Sequence, residues 1–393
     1  MKEIDANINI IGGGLIGSIV AYSLSKLDYK ISMLEKKKYY KNESFKDNRT
    51  VAISEGTKEF LNTIGLWNEI IPYCEPIKNI KVVDRKLLNQ LDFDNTRRKS
   101  NLGYIIKNNH LLDIVYSKIE KKNNIKIFNN TAISNFKIIE DKITTITNKI
   151  KINSDLNIAA DGKSSFVRKF FKTFTYSKNY QKSALVLIFT HSKNHNGTAF
   201  ELFYKNGPLA ILPMKRNNKK FCSSIVWTND NEYLEDLLQM NEQKLTSILN
   251  DETQNCVGNI KKIISKQIFP ITAHLNSKFY EKKTVFVGDS AHSFHPIAGQ
   301  GWNLGIKDIN NLFNLINNYN RLGLEIGSNL FCKEYHDENF FNAYRLYQIT
   351  DKLDSVFKLN IPVINTIRSS GINFLNKNKK LKNLISDFAM GIN

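Results

Sequence analysis

INIIGGGLIGSIVAYSLSKLDYKISMLEKK, residues 8–37, is the stretch on which the fold turns. Ile8–Ile11 is a short, mostly apolar run, as expected of a parallel strand buried on both faces. Three glycines follow with the spacing Gly12-x-Gly14-x-x-Gly17. A helix is predicted over Leu15–Leu27, and a second strand, KISMLE, ends at Glu35. Each glycine has a separate physical task in such a turn. Gly12 permits the tight bend, Gly14 lets a pyrophosphate approach the backbone, and Gly17 lets helix and strand pack closely. The helix start adds free N–H groups and the positive end of the dipole. Glu35 stands where a carboxylate accepts ribose hydroxyls. The reading is a dinucleotide-binding strand–turn–helix–strand unit. The spacing does not separate FAD from NAD.

Outward from this unit, "GTKEFLNTIGLWNEI" and "NNHLLDIVYSKIEKK" have helical spacing. The middle of the chain changes character. "SALVLIFTH", "TAFELFY", "PLAILPMK" and "FCSSIVWTND" are four successive strand-like runs joined by Gly, Asn or Lys turns. They predict a largely antiparallel sheet inserted into the nucleotide-binding unit. A parallel-type strand, "KTVFVGD", then returns to the first unit. The fold class is therefore α/β, a Rossmann-like nucleotide domain with an inserted, largely antiparallel β-sheet domain and a helical C-terminal segment. The expected division is 1–75, 98–180 and 276–345 for the nucleotide domain, 76–97 and 181–275 for the sheet, and 346–393 for the C-terminal segment.

The 393 residues carry 56 Lys+Arg against 37 Asp+Glu, a formal charge of +19. The lysines are dispersed, and no basic block is interleaved with aromatics, so no nucleic-acid partner is expected. An anionic membrane surface suits the charge better. Cys74, Cys222, Cys256 and Cys332 form no CxxC pair, so neither a zinc site nor a disulfide framework is indicated. No apolar run reaches the ~20 residues of a membrane span. A strand begins almost at the N-terminus and leaves no room for a signal peptide, so a cytoplasmic protein is expected, with the inner face of the membrane as its possible resting surface.

Two further stretches carry chemistry. In "AADGKSSFVR", residues 159–168, Asp161, Gly162 and Ser165 suit a strand-to-helix turn, and Arg168 one turn later can reach a phosphate or a carboxylate. In "TVFVGDSAHSFHPIAGQGWNLGIKDI", Asp289 ends a buried strand, where it can take a ribityl hydroxyl. Pro296, Gly299, Gln300 and Gly301 then form a loop of bare amides at the start of a helix expected over Trp302–Ile309. Such amides favour negative charge, and a reduced flavin carries its charge at N1 and the C2 carbonyl. His292 and His295 stand at i, i+3, but no third ligand lies beside them, so no metal is expected. Both read as packing or locally hydrogen-bonded residues, and Trp302 as core or cofactor-edge packing.

The order GxGxxG, DG motif, GD motif resembles class A flavoprotein monooxygenases, the p-hydroxybenzoate hydroxylase fold. Within that group "HPIAGQGWNLGIKD", "SDFAMGIN" and "DNRTVAIS" resemble the ubiquinone-biosynthesis hydroxylases. The resemblance covers nearly the whole chain and thins in the middle sheet. It implies FAD as cofactor, NADPH or NADH as a transient reductant, O2 as co-substrate, and hydroxylation of a polyprenylated phenol through a flavin C4a-hydroperoxide. It implies that Gly12, Gly14, Gly17 and Glu35 hold the ADP half. Arg49, Asn108, Asp161, Arg168, Asp289, Gly301 and Asn303 are then further cofactor contacts, and Pro296, Gly299, Gln300 and Gly301 line the ring. Trp302 departs from the smaller or aliphatic residue, or Phe, of the family. Subunits of a ubiquinone-biosynthesis complex and an anionic membrane surface are the implied partners. Hydroxylation of a small soluble aromatic, or a non-catalytic scaffold in a biosynthetic complex, are the alternative functions.

Overall fold

The computed structural model describes residues 1–38, 49–85, 89–94, 100–253, 256–295, 299–358, 374 and 376–391. Three sheets organise it. The first has eight strands. Its spine is β17 (Tyr280–Glu281), β18 (Thr284–Phe286), β11 (Ile150–Ala159), β1 (Lys2–Ile11), β2 (Ile31–Leu34) and β8 (Ile125–Phe128). The pairs β18–β11, β11–β1, β1–β2 and β2–β8 are all parallel. β9 (Ile133–Ile139) and β10 (Lys142–Thr147) extend it antiparallel from β11.

The second sheet also has eight strands, in the order β19 (His292–Ser293), β16 (Ile260–Asn276), β12 (Thr175–His191), β15 (Lys220–Asp230), β14 (Gly207–Asn217), β13 (Thr198–Tyr204), β5 (Asn79–Asp84) and β6 (Asn89–Asp94). All its pairs are antiparallel except β13–β5. β3 (Thr50–Ile53), β7 (Gly103–Lys107) and β4 (Glu75–Ile77) form a small third sheet. The helices are α1 (Leu15–Leu24), α2 (Glu55–Thr63), α3 (Trp67–Ile70), α4 (Asn108–Ile119), α5 (Phe166–Phe170), α6 (Asn231–Gln239), α7 (Glu242–Thr253), α8 (Gln300–Leu322), α9 (Asn329–Lys358) and α10 (Lys379–Ala389).

Some boundaries differ from the sequence expectation, for local reasons. β1 starts at Lys2 because its polar first half pairs with Ile150–Ser154, which no apolar pattern announces. α1 stops at Leu24, short of Leu27. The Ser25 hydroxyl donates to the Tyr22 carbonyl and Asp28 takes a left-handed φ of 56°, so the last turn closes on itself. α8 runs thirteen residues beyond Ile309, because Leu312, Leu315, Ile316 and Tyr319 continue its buried face.

The parallel sheet carries a buried polar ladder at its centre. Asn9 donates to Thr145 Oγ1 and to Asn157 Oδ1, both at 3.0 Å, and Ser32 donates to Asn9 Oδ1 at 2.8 Å. All four side chains are fully buried or nearly so. Such a network is favourable only while every member is satisfied. Asn9→Ala is expected to cost about 2–4 kcal/mol, because it removes three buried hydrogen bonds and leaves the Ser32 hydroxyl without its acceptor. Urea unfolding checks it, and a loss below about 0.5 kcal/mol would show that the ladder carries no weight.

Candidate functional site

At the end of β1 the three glycines do different work. Gly12 has φ 106°, and a Cβ there would lie 2.4 Å from the Ala160 carbonyl oxygen. A Cβ on Gly17 would lie 1.9 Å from the Gly12 carbonyl oxygen. Both are fixed by close backbone packing. A Cβ on Gly14 would meet nothing within 4 Å. Gly14 is also the N-cap of α1, with no side-chain cap, so the first-turn amides face open space. Glu35 braces this turn: its Oε2 accepts from Gly13 N at 2.7 Å and its Oε1 from Lys37 N at 2.9 Å. Each oxygen keeps a lone pair for a hydroxyl. Tyr116 of α4 donates to the Gly13 carbonyl at 2.8 Å. In the sequence it lies within the helical pattern of NNHLLDIVYSKIEKK, and nothing local marks it as a brace.

The DG and GD segments meet across β11 and β18. Asp161 Oδ2 accepts from Val167 N at 3.2 Å and helps start α5. Its Oδ1 is buried with no hydrogen bond among the described residues, and burial pushes its pKa up. The Arg168 guanidinium donates to the carbonyls of Lys163 (2.6 Å) and Ser290 (3.0 Å) and contacts His274 Nε2 (3.0 Å). It therefore ties the two motifs together. Burial first, and then the Arg168 charge, push His274 down to about 3, so this imidazole is neutral.

Asp289 presents surface to solvent yet is deeply ringed by protein. That combination marks the floor of a cleft. Burial raises its pKa, opposed by His292, Arg49 and Lys163. Lys163 thus joins Arg49 in facing this carboxylate, a role the sequence reading missed although the residue lies inside the DG motif. Arg49 is exposed, stacks its guanidinium 5.0 Å from the Phe269 ring, and its carbonyl accepts from Asn108 N at 3.0 Å. Asn108 opens α4 from beneath the same corner.

Gly299 has φ 60° and is the N-cap of α8, again without a side-chain cap. Its loop is held from below by Asn303. That side chain donates to the carbonyls of Ala52 (2.8 Å) and Gly299 (3.3 Å) and accepts from Ser54 N (3.0 Å) and Thr57 Oγ1 (2.9 Å). With its side-chain amide bonded to protein, Asn303 shapes the loop. A Cβ on Gly301 would meet only Phe294, at 4.0 Å. Gln300 is half-buried beside it, and Pro296 lies outside the described residues. Trp302 packs on the main core with its Nε1 buried and unpaired among the described residues. Farther along α8, a Cβ on Gly305 would lie 3.0 Å from Ile16 and 3.3 Å from Gly288. So α1, the GD turn and α8 converge at one point. About 9 Å of helix axis separates Gly305 from Gly299, a span that one extended dinucleotide can bridge. His292 Nε2 lies 2.7 Å from Asp308 Oδ2, both buried, and His295 stacks edge-on with Tyr180.

The large sheet supplies a wall. One face, with Leu185, Leu202, Leu209, Ile225 and Trp227, is sealed by α6 and α7. On the other face, one cross-strand row runs Val82, Glu201, Ala210, Val226, Val186, Gln267. Five of these six are only half-buried although they lie in mid-sheet, so this face borders a cavity. The row is bracketed by the two corners already described. On one side Leu212 and Ala52 pack against the same buried cluster, which includes Ile188 and Ala199, and Ala52 lies 3.6 Å from where a Gly299 Cβ would be. On the other is Phe269, under Arg49. Glu201 has no hydrogen bond or ion pair among the described residues, and burial pushes its pKa up to about 7. Folding therefore favours its protonated form. That preference is complete below its ordinary value of 4.5 and is lost as pH rises through about 7. Glu201→Gln is expected to raise Tm by about 2–4 °C at pH 8.5 and to leave it unchanged at pH 4. Equal shifts at both pH values would sink this assignment.

These features fit a flavin dinucleotide. Two helix N-termini have no side-chain cap, Gly14 leaves room for a phosphate, and buried Asp161 Oδ1 and Trp302 Nε1 lack partners among the described residues. A model of the FAD binding domain family matches residues 5–321. The chain belongs to the class A FAD-dependent aromatic monooxygenases. The monooxygenase is 27% identical over 389 residues to ubiquinone hydroxylase UbiL of Rhodospirillum rubrum, covering 98% of this chain and 90% of that protein. It is 26% identical over 437 residues to the mitochondrial ubiquinone biosynthesis monooxygenase COQ6 of Homo sapiens, covering 98% and 92%. Among solved structures, p-nitrophenol 4-monooxygenase PnpA from Pseudomonas putida DLL-E4 superposes with a TM-score of 0.80 at 16% identity, over 99% of this chain and 98% of that one. At that identity the likeness is one of fold.

Proposed function

We propose that this monooxygenase hydroxylates the aromatic ring of a polyprenylated phenol in ubiquinone biosynthesis, with FAD as cofactor, NADH or NADPH as transient reductant and O2 as co-substrate. The observation that carries the reading is the end-to-end likeness to proteins named as ubiquinone hydroxylases, over 98% of the chain. FAD, when bound, supplies electron transfer and oxygen activation, so the protein needs no side-chain nucleophile. The open amides after Gly12, Gly14 and Gly17 receive the pyrophosphate, and Glu35 a ribose hydroxyl. Asp289, on the cleft floor, accepts from the ribityl chain. The amides of Gly299, Gln300 and Gly301 meet the electron-rich edge of the ring. Asp161, Arg49 and Asn108 flank the same cleft, and Arg168 and Asn303 hold its walls. The aliphatic row of the large sheet excludes water from the reacting ring. Deleting the gene in its host and identifying the accumulating quinone precursor by mass spectrometry tests the reading. A precursor lacking one ring hydroxyl is expected, and an unchanged ubiquinone pool would overturn it.

A lipid-soluble substrate has to be met at a surface. Among the described residues no helix is long and apolar enough to cross a membrane. α10 exposes Leu384 (66%) beside Lys379 and Lys380, with Phe374 exposed just before it. Its far end is anchored by Met390, buried near Ala52, and by the Met390 carbonyl on Gly56 N. We propose that this helix rests on anionic lipid. Leu384→Glu is expected to cut flotation with phosphatidylglycerol vesicles at least about threefold. Unchanged flotation would count against the lipid surface and leave a partner subunit as its target.

A further inference from the structure

We propose that Glu201 is the residue that meets the hydroxyl of the aromatic substrate and takes its proton. The inference deepens the reading of this cavity as a phenol site and rests on it. Glu201 is the one carboxylate in the row Val82, Glu201, Ala210, Val226, Val186, Gln267, whose other members are aliphatic apart from the terminal Gln267. It sits in mid-sheet, between β14 and β5, half-buried and without a partner among the described residues. An unpartnered carboxylate on an apolar wall is costly. A surface acid would be solvated and a structural acid would be paired. Glu201 is neither, and it faces the side on which Ala52 touches the Gly299 loop. A ligand that brings its own O–H completes it.

The step is a proton transfer. The phenolic O–H bond breaks, a new O–H bond forms on the Glu201 carboxylate, and the electron pair left on the phenolic oxygen raises density at the ring carbons ortho and para to it. Those carbons are the ones an electrophilic oxygen attacks. When the attacked carbon loses its own hydrogen as a proton and aromaticity returns, Glu201 gives its proton back to the ring oxygen. The oxidising equivalents come from O2, the reduced cofactor of the proposed reaction supplies the two electrons that take the second oxygen atom to water, and Glu201 adds neither. Burial has already brought this carboxyl up to about 7, which matches it to a proton that moves both ways near neutral pH.

The test uses full-length, FAD-loaded wild type, E201Q and E201D, with 4-nitrophenol as a chromophoric phenol. In wild type the bound probe is expected to show a larger share of its yellow anion at pH 7, where this carboxyl is about half ionised, than the free probe shows at the same pH. In E201Q the anion share should fall below that of the free probe, and binding should weaken about fivefold. E201D should recover part of both. The FAD absorbance of all three proteins reports that the fold is intact. With a short-tailed prenylated phenol, E201Q should lose hydroxylation by about 10²-fold and also lose the rise in rate near pH 7. Identical 4-nitrophenol spectra and affinity in wild type and E201Q would overturn the proposal, as would failure of wild type to bind the probe. If the probe signature depends on Glu201 but no prenylated phenol is hydroxylated, the role of Glu201 stands and the substrate reading fails.

Discussion

Gly14→Ala is expected to give a folded, colourless protein. Gly14 has φ −68° and ψ −171°, which Ala adopts without strain, and its Cβ would meet no protein atom within 4 Å. The stability of the apoprotein should therefore change by less than about 0.5 kcal/mol. The added methyl instead occupies the space proposed for the pyrophosphate, so FAD retention should fall by at least about two orders of magnitude. Gly17→Ala, three residues on, is expected to fail differently. Its Cβ would stand 1.9 Å from the Gly12 carbonyl oxygen, so α1 must move off β1. Apoprotein stability should drop by about 3 kcal/mol or more, with FAD lost as a consequence. Thermal melts of the apoproteins, beside FAD fluorescence titrations, separate the two. A yellow Gly14→Ala protein with wild-type affinity would show that no phosphate lies at that amide.

The second large effect belongs to Asp308→Ala. Asp308 Oδ2 receives Gly288 N at 3.0 Å and His292 Nε2 at 2.7 Å, and both Asp308 and His292 are buried. Removing the carboxylate strands a main-chain donor and an imidazole donor, a loss of about 2–5 kcal/mol. The damage is not confined to stability. Gly288, held by this bond, has φ 60° and positions Asp289 on the cleft floor. FAD affinity should fall together with stability, whereas Asn9→Ala, remote from the cleft, should lower stability alone. Asp308→Asn keeps an acceptor of the same shape and should recover more than half of the loss. Guanidinium unfolding of apo and FAD-loaded protein provides the measurement, and a near-neutral Asp308→Ala would refute the assigned brace.

Much of this was legible in the sequence because the decisive features are local. The Gly12, Gly14 and Gly17 spacing, the acid at the end of the second strand and the bare loop before Gln300 each report a backbone requirement that few other residues meet. The four middle strands announced themselves by turns and β-rich runs, and they pair in the antiparallel order β12–β15–β14–β13 around a sheet that also recruits β16 from downstream. What was illegible depends on contacts between distant residues. Only the fold brings the Ser290 carbonyl and His274 within 3.0 Å of Arg168. Asn303 likewise meets Ala52 and Ser54, about 250 residues upstream in the chain. Glu201 sat unnoticed in a strand-like run, since alternation tells which face a residue occupies but not whether that face is covered.

The convergence of Ile16, Gly288 and Gly305 has a bearing on biosynthesis. The glycine turn emerges from the ribosome first, yet its neighbours on the far side of the cleft are made nearly three hundred residues later. Synthesis proceeds at about 5–20 residues per second, so the nascent polypeptide carries an unfinished pigment-binding groove for many seconds. Loading with flavin therefore has to wait until the helix bearing Asp308 has left the exit tunnel. Any chain released earlier than that is colourless, and the yellow colour of a preparation reports only molecules that extend through that helix.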